Sequence, residues 1–374
     1  MGQSQKSFRW VFNGTWISIP IITSRSSSAT VEIMNEQGLK KEDDRTDKST
    51  CEYSIPMKHI LRISGEHERL PTAELEAVLE GEMLEWSFEV EGRTVVLDVV
   101  GEDPRFLQRL AYTLKAAEYL GESDSLEELA GEVYDEIGDV NSFRVRGPPD
   151  VQVKFGEILH KMGLSVDLSN PEADIVMVEF RGRHLAGLKT PLDREYEKRR
   201  PQHRPYFHPT SMHPKLARAL VNLARVRPGD TVLDPFCGTG GILIEAGLMG
   251  LKVAGWDVDR RMVAGCRRNL REYGIEGEVI SEDALTGSKV VDAIVTDPPY
   301  GRASYTTDEV TGLYDGFIRR AHRLLEAGSH ISIVMPATYE PNTEGYEIVG
   351  SHDVRMHKSL TRRIWVLKNL RDFF

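Results

Sequence analysis

Cysteine is nearly absent from this chain of 374 residues: Cys51, Cys237 and Cys266 are the only three, and none has a Cys-x-x-Cys neighbour. An odd and scattered set excludes a disulfide framework and a cysteine-based zinc site, so the sequence predicts a reduced, cytoplasmic protein with no bound metal. Long hydrophobic runs are missing too. The aromatic and β-branched stretch from Phe8 to Ile22 is interrupted by Asn13, Gly14, Thr15 and Ser18 and falls short of a membrane span. No small-residue cleavage site follows a clean apolar core, which argues against a secretory leader. Positive charge is in deficit, 47 Lys and Arg against 58 Asp and Glu, for a net −11. Such a molecule repels a polyanion as a whole, so any nucleic acid must be held by local basic patches. Repeats and coiled-coil heptads are also absent. The length suits two or three domains with ample cores.

Two loops carry chemistry. The first is Asp234-Pro235-Phe236-Cys237-Gly238-Thr239-Gly240-Gly241. Thr231-Val232-Leu233 before it reads as a strand and Ile242 to Ala246 behind it as a helix start, which together make a mononucleotide-binding corner. Glycines 238, 240 and 241 let the main chain bend sharply and approach a ligand, because no Cβ intrudes. A second strand, Lys252 to Trp256, ends in Asp257 at the spacing of roughly 20 residues where a ribose hydroxyl pair finds its acceptor. Asp257 is favoured for that role, with Asp259 its competitor.

The loop lacks the Gly-x-Gly-x-x-Gly spacing of a dinucleotide site, and Asp234 in the turn repels phosphate but suits an ammonium group. S-adenosylmethionine has a cationic amine and a sulfonium and no phosphate, so it is the expected cofactor. Phe236 belongs to the same loop and Asp283, after a third strand, is placed to accept the adenine amine. Cys237 is explained by its small size rather than by catalysis.

The second loop, Asp297-Pro298-Pro299-Tyr300-Gly301, follows the buried-type strand 291–296. Ligands of open α/β sheets bind at such carboxyl ends. An aromatic exocyclic amine is a poor nucleophile because its lone pair is delocalised into the ring. The Asp297 carboxylate and the Pro298 carbonyl, set on its two N–H groups, favour a pyramidal nitrogen aimed at the sulfonium methyl. The prolines stiffen the loop, and Tyr300 offers a face to a base swung out of its stack. His208 and His213 are alternative proton acceptors, with structural roles the stronger expectation.

These loops look like those of amino methyltransferases acting on DNA adenine or cytosine and on RNA guanine. The stretch 199–209, then Met212 to Arg218 and Val221 to Ala224, closely resembles the archaeal tRNA guanine-10 N2-methyltransferases. Phe143-Arg144-Val145-Arg146 and Val166 to Pro171 resemble the THUMP module that those enzymes carry upstream. The resemblance runs from about Met57 to the C-terminus. It implies a Rossmann-like class I methyltransferase domain, mostly a parallel seven-stranded sheet closed by a hairpin, behind an α+β ferredoxin-like and THUMP module. It also implies tRNA as partner, one or two methyl groups on guanine 10, and for some relatives a small zinc-binding activator subunit. The rival functions are a DNA amino methyltransferase, which normally adds a large target-recognition region, and a non-catalytic RNA-binding protein.

The expected organisation is a disordered or spuriously translated extension over 1–56, the RNA-binding module over 57–190, a basic linker over 191–204 and the methyltransferase domain over 205–374. Within the module, the periodicity predicts strands at 60–64, 84–90 and 94–100, helices at 73–81 and 105–120, and a THUMP-like part from 142. The phosphate track is expected on Arg144, Arg146, Arg199, Arg200 and Arg204, joined by Arg355, His357, Lys358, Arg362 and Arg363. Six Lys and Arg against three acids between Lys189 and Arg204 single out that segment.

Overall fold

The computed structural model describes residues 7–12, 15–20, 56–101, 104–299, 307–357 and 360–370. Met1–Glu52 form one unit and Tyr53–Phe374 the other. In the first unit, β1 (Ser7–Phe12) and β2 (Thr15–Pro20) pair as an antiparallel hairpin with Phe12 opposite Thr15. The remainder of the extension expected over 1–56, up to residue 55, lies outside the described residues. Asn13-Gly14, read from sequence as an interruption, is the dipeptide that two-residue hairpin loops favour.

The second unit opens with β3 (Pro56–Ile63), α1 (Leu70–Gly81), β4 (Glu85–Glu91), β5 (Thr94–Val100), a short α2 (Phe106–Arg109) and β6 (Thr113–Ser123). It continues through α3 (Leu126–Ile137), β7 (Ser142–Arg146), α4 (Pro149–Lys161), β8 (Ser165–Val166), β9 (Ala173–Phe180) and β10 (Arg183–Thr190). All eight strands from β3 to β10 form one sheet in the order β4-β5-β3-β6-β10-β9-β7-β8. The predicted helix over 105–120 is therefore wrong beyond Arg109. Glu74 of α1 accepts the backbone N–H groups of Ala111 and Tyr112 at 2.7 and 2.8 Å, which stops the helix. The chain then enters β6, which is paired on both sides, with β3 and with β10. Pairing at the centre of a sheet overrides local helical periodicity.

The C-terminal half contains α5 (Pro214–Leu223), β11 (Thr231–Asp234), α6 (Gly241–Leu248), β12 (Lys252–Trp256), α7 (Arg260–Glu272) and β13 (Gly277–Ile280). It ends with β14 (Val291–Thr296), α8 (Thr307–Ala321), β15 (Leu325–Pro336), β16 (Tyr346–His357) and β17 (Leu360–Asn369). Its sheet runs β13-β12-β11-β14-β15-β17-β16, parallel except for β17, which pairs antiparallel with both neighbours. The chain moves outward from β11 in one direction and from β14 in the other. That reversal puts the ends of β11 and β14 side by side at the topological switch point, where a ligand crevice opens. Fully buried Val232, Leu233, Ala293, Ile294 and Val295 fix the two strands in the core.

Residues 191–204 are not a free linker. Arg194 donates to the carbonyls of Leu107, Gln108 and Thr113 at 3.2–3.3 Å, and Tyr196 is buried. The segment is held because the Leu107 and Gln108 carbonyls at the end of α2, and that of Thr113 at the start of β6, need donors. Among the described residues no helix is long and apolar enough to cross a membrane.

Candidate active site

Asp234 ends β11 with only 2% of its surface exposed. Its Oδ1 accepts the Thr296 hydroxyl at 2.7 Å and the Phe236 N–H at 3.1 Å, tying the two central strand ends together. Burial pushes its carboxyl up to about 7; the charges of Asp297 and Asp257 add to the rise and the two hydrogen bonds oppose it. The loop then turns through Gly238 (φ 49°) and Gly240 (φ 83°), backbone angles that favour glycine. A Cβ on Gly240 would lie 2.6 Å from Cys266 Sγ. Cys237 is buried, and the Cys266 thiol beside it, with burial, pushes its own thiol well up. It has no thiolate character.

Asp257 follows β12. Its Oδ2 accepts the Gly238 N–H at 2.9 Å and its Oδ1 the Asp259 N–H at 2.8 Å, so it pins the glycine turn from outside. Burial raises its carboxyl and the two amides counter the rise. Asp259 is engaged elsewhere: it caps α7 through the Arg261 N–H at 2.8 Å and pairs with the Arg261 guanidinium at 2.8 Å. Asp283 is exposed, its Oδ1 accepting the Leu285 N–H at 2.9 Å. Phe236 is half-buried, edge-on to Phe317 at 5.4 Å.

Asp297 leaves β14 at the switch point, beside Asp234. Both of its oxygens are taken by Arg362 of β17, with Nη1 donating to Oδ2 at 2.9 Å and Nη2 to Oδ1. Burial raises the Asp297 carboxyl, and the guanidinium pulls it back part of the way. Pro298 is buried, and the Pro299 carbonyl accepts the Tyr314 hydroxyl at 2.9 Å, which braces the loop. Tyr300 lies outside the described residues. His213 caps α5, its Nδ1 accepting the Lys215 N–H at 3.2 Å, and His208 Nδ1 meets the Thr210 hydroxyl at 2.8 Å. Neither contacts Asp297.

The expected phosphate track is largely dismantled. Arg199 is half-buried in a two-point pair with the buried Glu245 (2.8 and 3.2 Å), which Arg218 shares at 2.9 Å. Arg204 is buried as well, its Nε donating to the Arg199 carbonyl at 3.0 Å. Arg362 belongs to Asp297. Arg363 binds Asp353 at 2.6 Å and Glu340 at 2.9 Å. These side chains hold the fold because desolvated cations require acceptors. Arg200 remains partly exposed, paired with Glu197 at 2.8 Å. Arg144 (2.6 Å), Arg146 (2.7 Å) and Lys189 (3.4 Å) crowd one carboxylate, Asp174, which leaves that face positive. His357 and Lys358 lie where side chains are not described.

The expected phosphate track left out the basic face of α7, a helix the sequence did predict near 260. Its five arginines, Arg260, Arg261, Arg267, Arg268 and Arg271, are all exposed. Arg260, Arg268 and Arg271 have no partner among the described residues. The signal was visible as two Arg-Arg pairs on one helix. The helix begins three residues after Asp257, so its basic face starts beside the carboxylate that holds the glycine turn.

The RMKL-like, methyltransferase domain family matches residues 201–363. A DNA methylase family matches residues 131–266, a stretch that ends before Asp297. The chain is 40% identical over 336 residues to the tRNA (guanine(10)-N2)-dimethyltransferase of Methanothermobacter thermautotrophicus, covering 84% of this chain and 100% of that protein. It is 32% identical over 353 residues to the protein of the same name from Methanocaldococcus jannaschii, covering 82% and 99%. TrmN from Thermus thermophilus shares the fold, with a TM-score of 0.50 and 23% identity over 84% of this chain and 100% of that one. With its motifs, its switch-point geometry and these full-length relatives in agreement, the chain belongs to the tRNA (guanine(10)-N2)-dimethyltransferase family.

Proposed function

We propose that this protein methylates the N2 amine of the guanine at position 10 of tRNA, adding one methyl group and then a second, with S-adenosylmethionine as donor. The observation that carries the reading is the meeting of Asp234 and Asp297 at the switch point, with glycine backbone beside the first and Pro298 beside the second. The residues fit the cofactor: two carboxylates and a Cβ-free turn accept a cationic nucleoside, and the loop from Asp234 to Gly241 holds no lysine or arginine for phosphate. Asp234 takes the ammonium, Asp257 the ribose, Asp283 the adenine amine, and Phe236 and the backbone at Gly238 and Gly240 line the cradle. S-adenosylmethionine, when bound, supplies an electrophilic methyl on a sulfonium.

Asp297 accepts one N–H of the amine and the Pro298 carbonyl the other, which concentrates the lone pair on nitrogen, and Tyr300 stacks on the flipped base. With the cofactor bound, the oriented amine would take the methyl group, the methyl–sulfur electrons would stay on sulfur as a neutral thioether, and the alkylated nitrogen would lose its proton to solvent. Because Asp297 is already charge-paired it acts as an acceptor of hydrogen bonds, and the acidic product nitrogen needs no dedicated base.

Residues 57–190 serve as the THUMP-containing grip on tRNA, since phosphate and shape contacts position without reading sequence. The partly exposed cations Arg144, Arg146 and Arg200 are its contact points, extended by the α7 face. Partners are tRNA and, following the resemblance, a small zinc-binding activator subunit; co-purified zinc in equal proportion to the chain tests the second. The compartment is the cytoplasm. Incubation with labelled S-adenosylmethionine and a tRNA transcript, followed by mass spectrometry of nuclease digests, tests the whole reading. Dimethylguanosine at position 10, lost when that base is replaced, is the expected result; methyladenosine or label in DNA overturns it.

A further inference from the structure

Arg362 is a cation with 1% of its surface exposed. Alternation along β17 puts it on the same face as Ile364 and Val366, and it stands opposite Pro336 of β15 and Val354 of β16. A guanidinium is expensive to bury, and what it meets is the Asp297 carboxylate end-on, one nitrogen to each oxygen. That fork occupies the lone pairs that converge between the two oxygens and leaves one outward lone pair on each. The carboxylate can no longer rotate, and it offers a single acceptor toward the base.

We propose that Arg362 is the positioning residue of the methyl transfer: it holds Asp297 ionised and turned so that one outward lone pair meets the N2 amine. The inference rests on the role given to Asp297 above. The other charges around this carboxylate do not replace Arg362. Asp234 on β11 is a carboxyl whose own rise the Asp297 charge adds to, so it supplies no cation, and on β17 and β16 the neighbouring Arg363 and Asp353 pair with each other. No other cation is paired with Asp297 among the described residues.

The test uses the full chain with Arg362→Met and Arg362→Lys, measuring kcat and KM for tRNA and cofactor across pH, the dissociation constant of S-adenosylmethionine, and the melting temperature. Removing an adjacent opposite charge raises a carboxyl pKa by about 1–3 units, so the acid limb of kcat in Arg362→Met should move to higher pH by that amount. Its kcat at neutral pH should fall by roughly 10²-fold and recover partly on the alkaline side, with cofactor affinity within about twofold. Arg362→Lys keeps the charge and loses the fork; its acid limb should stay in place while kcat drops by roughly tenfold. An acid limb at the wild-type pH in folded Arg362→Met overturns the proposal. Should the methionine variant not fold, Arg362→Lys decides: full kcat overturns it, and reduced kcat with an unmoved limb supports it. Asp297→Asn separates the two readings. Full activity in that variant defeats the role of Asp297 itself, whereas an inactive Asp297→Asn beside an unshifted Arg362→Met defeats only the role of Arg362.

Discussion

Glu74 of α1 and Asn222 of α5 meet at 2.7 Å, both with 0% of their surface exposed, across the joint between the eight-stranded module and the catalytic sheet. Glu74 also holds the start of β6 through Ala111 and Tyr112, and Asn222 donates in addition to the Arg109 carbonyl at 2.9 Å. Arg109 in turn reaches the Val226 carbonyl at 2.6 Å. Module and catalytic sheet are thus joined by a buried polar network through Glu74, Asn222 and Arg109. Asn222→Ala leaves a buried carboxylate and a carbonyl short of a donor, and the expected loss is about 1–3 kcal/mol of stability, read as a lowered melting temperature. A 190–374 fragment loses both partners of Asn222, the Gln108 carbonyl that Arg218 reaches and the cover over α5, so it should be insoluble or unable to bind cofactor. Soluble fragment with wild-type cofactor affinity would mean the joint is dispensable.

Asp234 makes cofactor binding depend on pH. Its carboxyl is pushed up to about 7 by burial, and a ligand ammonium favours the ionised form. Affinity for S-adenosylmethionine should therefore rise as pH climbs toward that value. The ligand's own α-amino group loses its proton above about 7.7–8.0, so affinity should decline again beyond that range. Calorimetry in buffers of different ionisation enthalpy should record proton release on the acid side of the optimum. Asp234→Asn should abolish that release, and a flat profile in the unaltered protein would remove Asp234 from the ammonium.

Asp297→Asn is the informative change at the second loop, since it keeps the shape while removing the charge. The turnover should fall by roughly 10²–10³ with cofactor affinity little altered. The melting temperature should drop as well, because Arg362 is left as a buried cation facing a neutral amide. Retention of more than about a tenth of wild-type turnover would rule out the assigned role.

What the sequence displayed was local, and what it hid was pairing at a distance. The strand, glycine turn and helix around Asp234, the strand before Asp297 and the closing hairpin were legible because periodicity and turn residues act within a few positions. The charge of Arg199, Arg204 and Arg362 was equally visible, yet their burial was not, since Glu245 lies 46 residues from Arg199 and Asp297 lies 65 from Arg362. A signal for Arg362 did exist: β-alternation places it with Ile364 and Val366 on the inner face, where a cation demands a partner. The strand β6 was missed because its state is decided by β3 and β10 on either side, and its own apolar spacing suits a helix.

The two candidate ribose acceptors separate cleanly by mutation. Asp257→Ala removes the acceptor for the Gly238 and Asp259 amides as well as for the ribose, and should weaken S-adenosylmethionine binding by about 1–3 kcal/mol. Asp259→Ala removes the cap of α7 and the exposed Arg261 pair, costing about 1 kcal/mol of stability, and should leave the dissociation constant within about twofold. Titration calorimetry and thermal melts on the pair give both numbers. The reverse pattern would hand the ribose to Asp259.

The basic face of α7 offers the last test, because it bears on how a chain of net charge −11 holds a polyanion. Arg268 and Arg271 are exposed and without partners among the described residues, so their replacement disturbs no fold contact. If both touch phosphate, Arg268→Ala with Arg271→Ala should weaken tRNA binding at low salt and reduce the slope of log affinity against log salt by about 2, one for each lost contact. Cofactor affinity and melting temperature should not move. As salt rises the variant and wild-type curves should converge, since the lost term is counterion release. Parallel curves with equal slopes would make α7 a solvated surface and return the phosphate grip to Arg144, Arg146 and Arg200 alone.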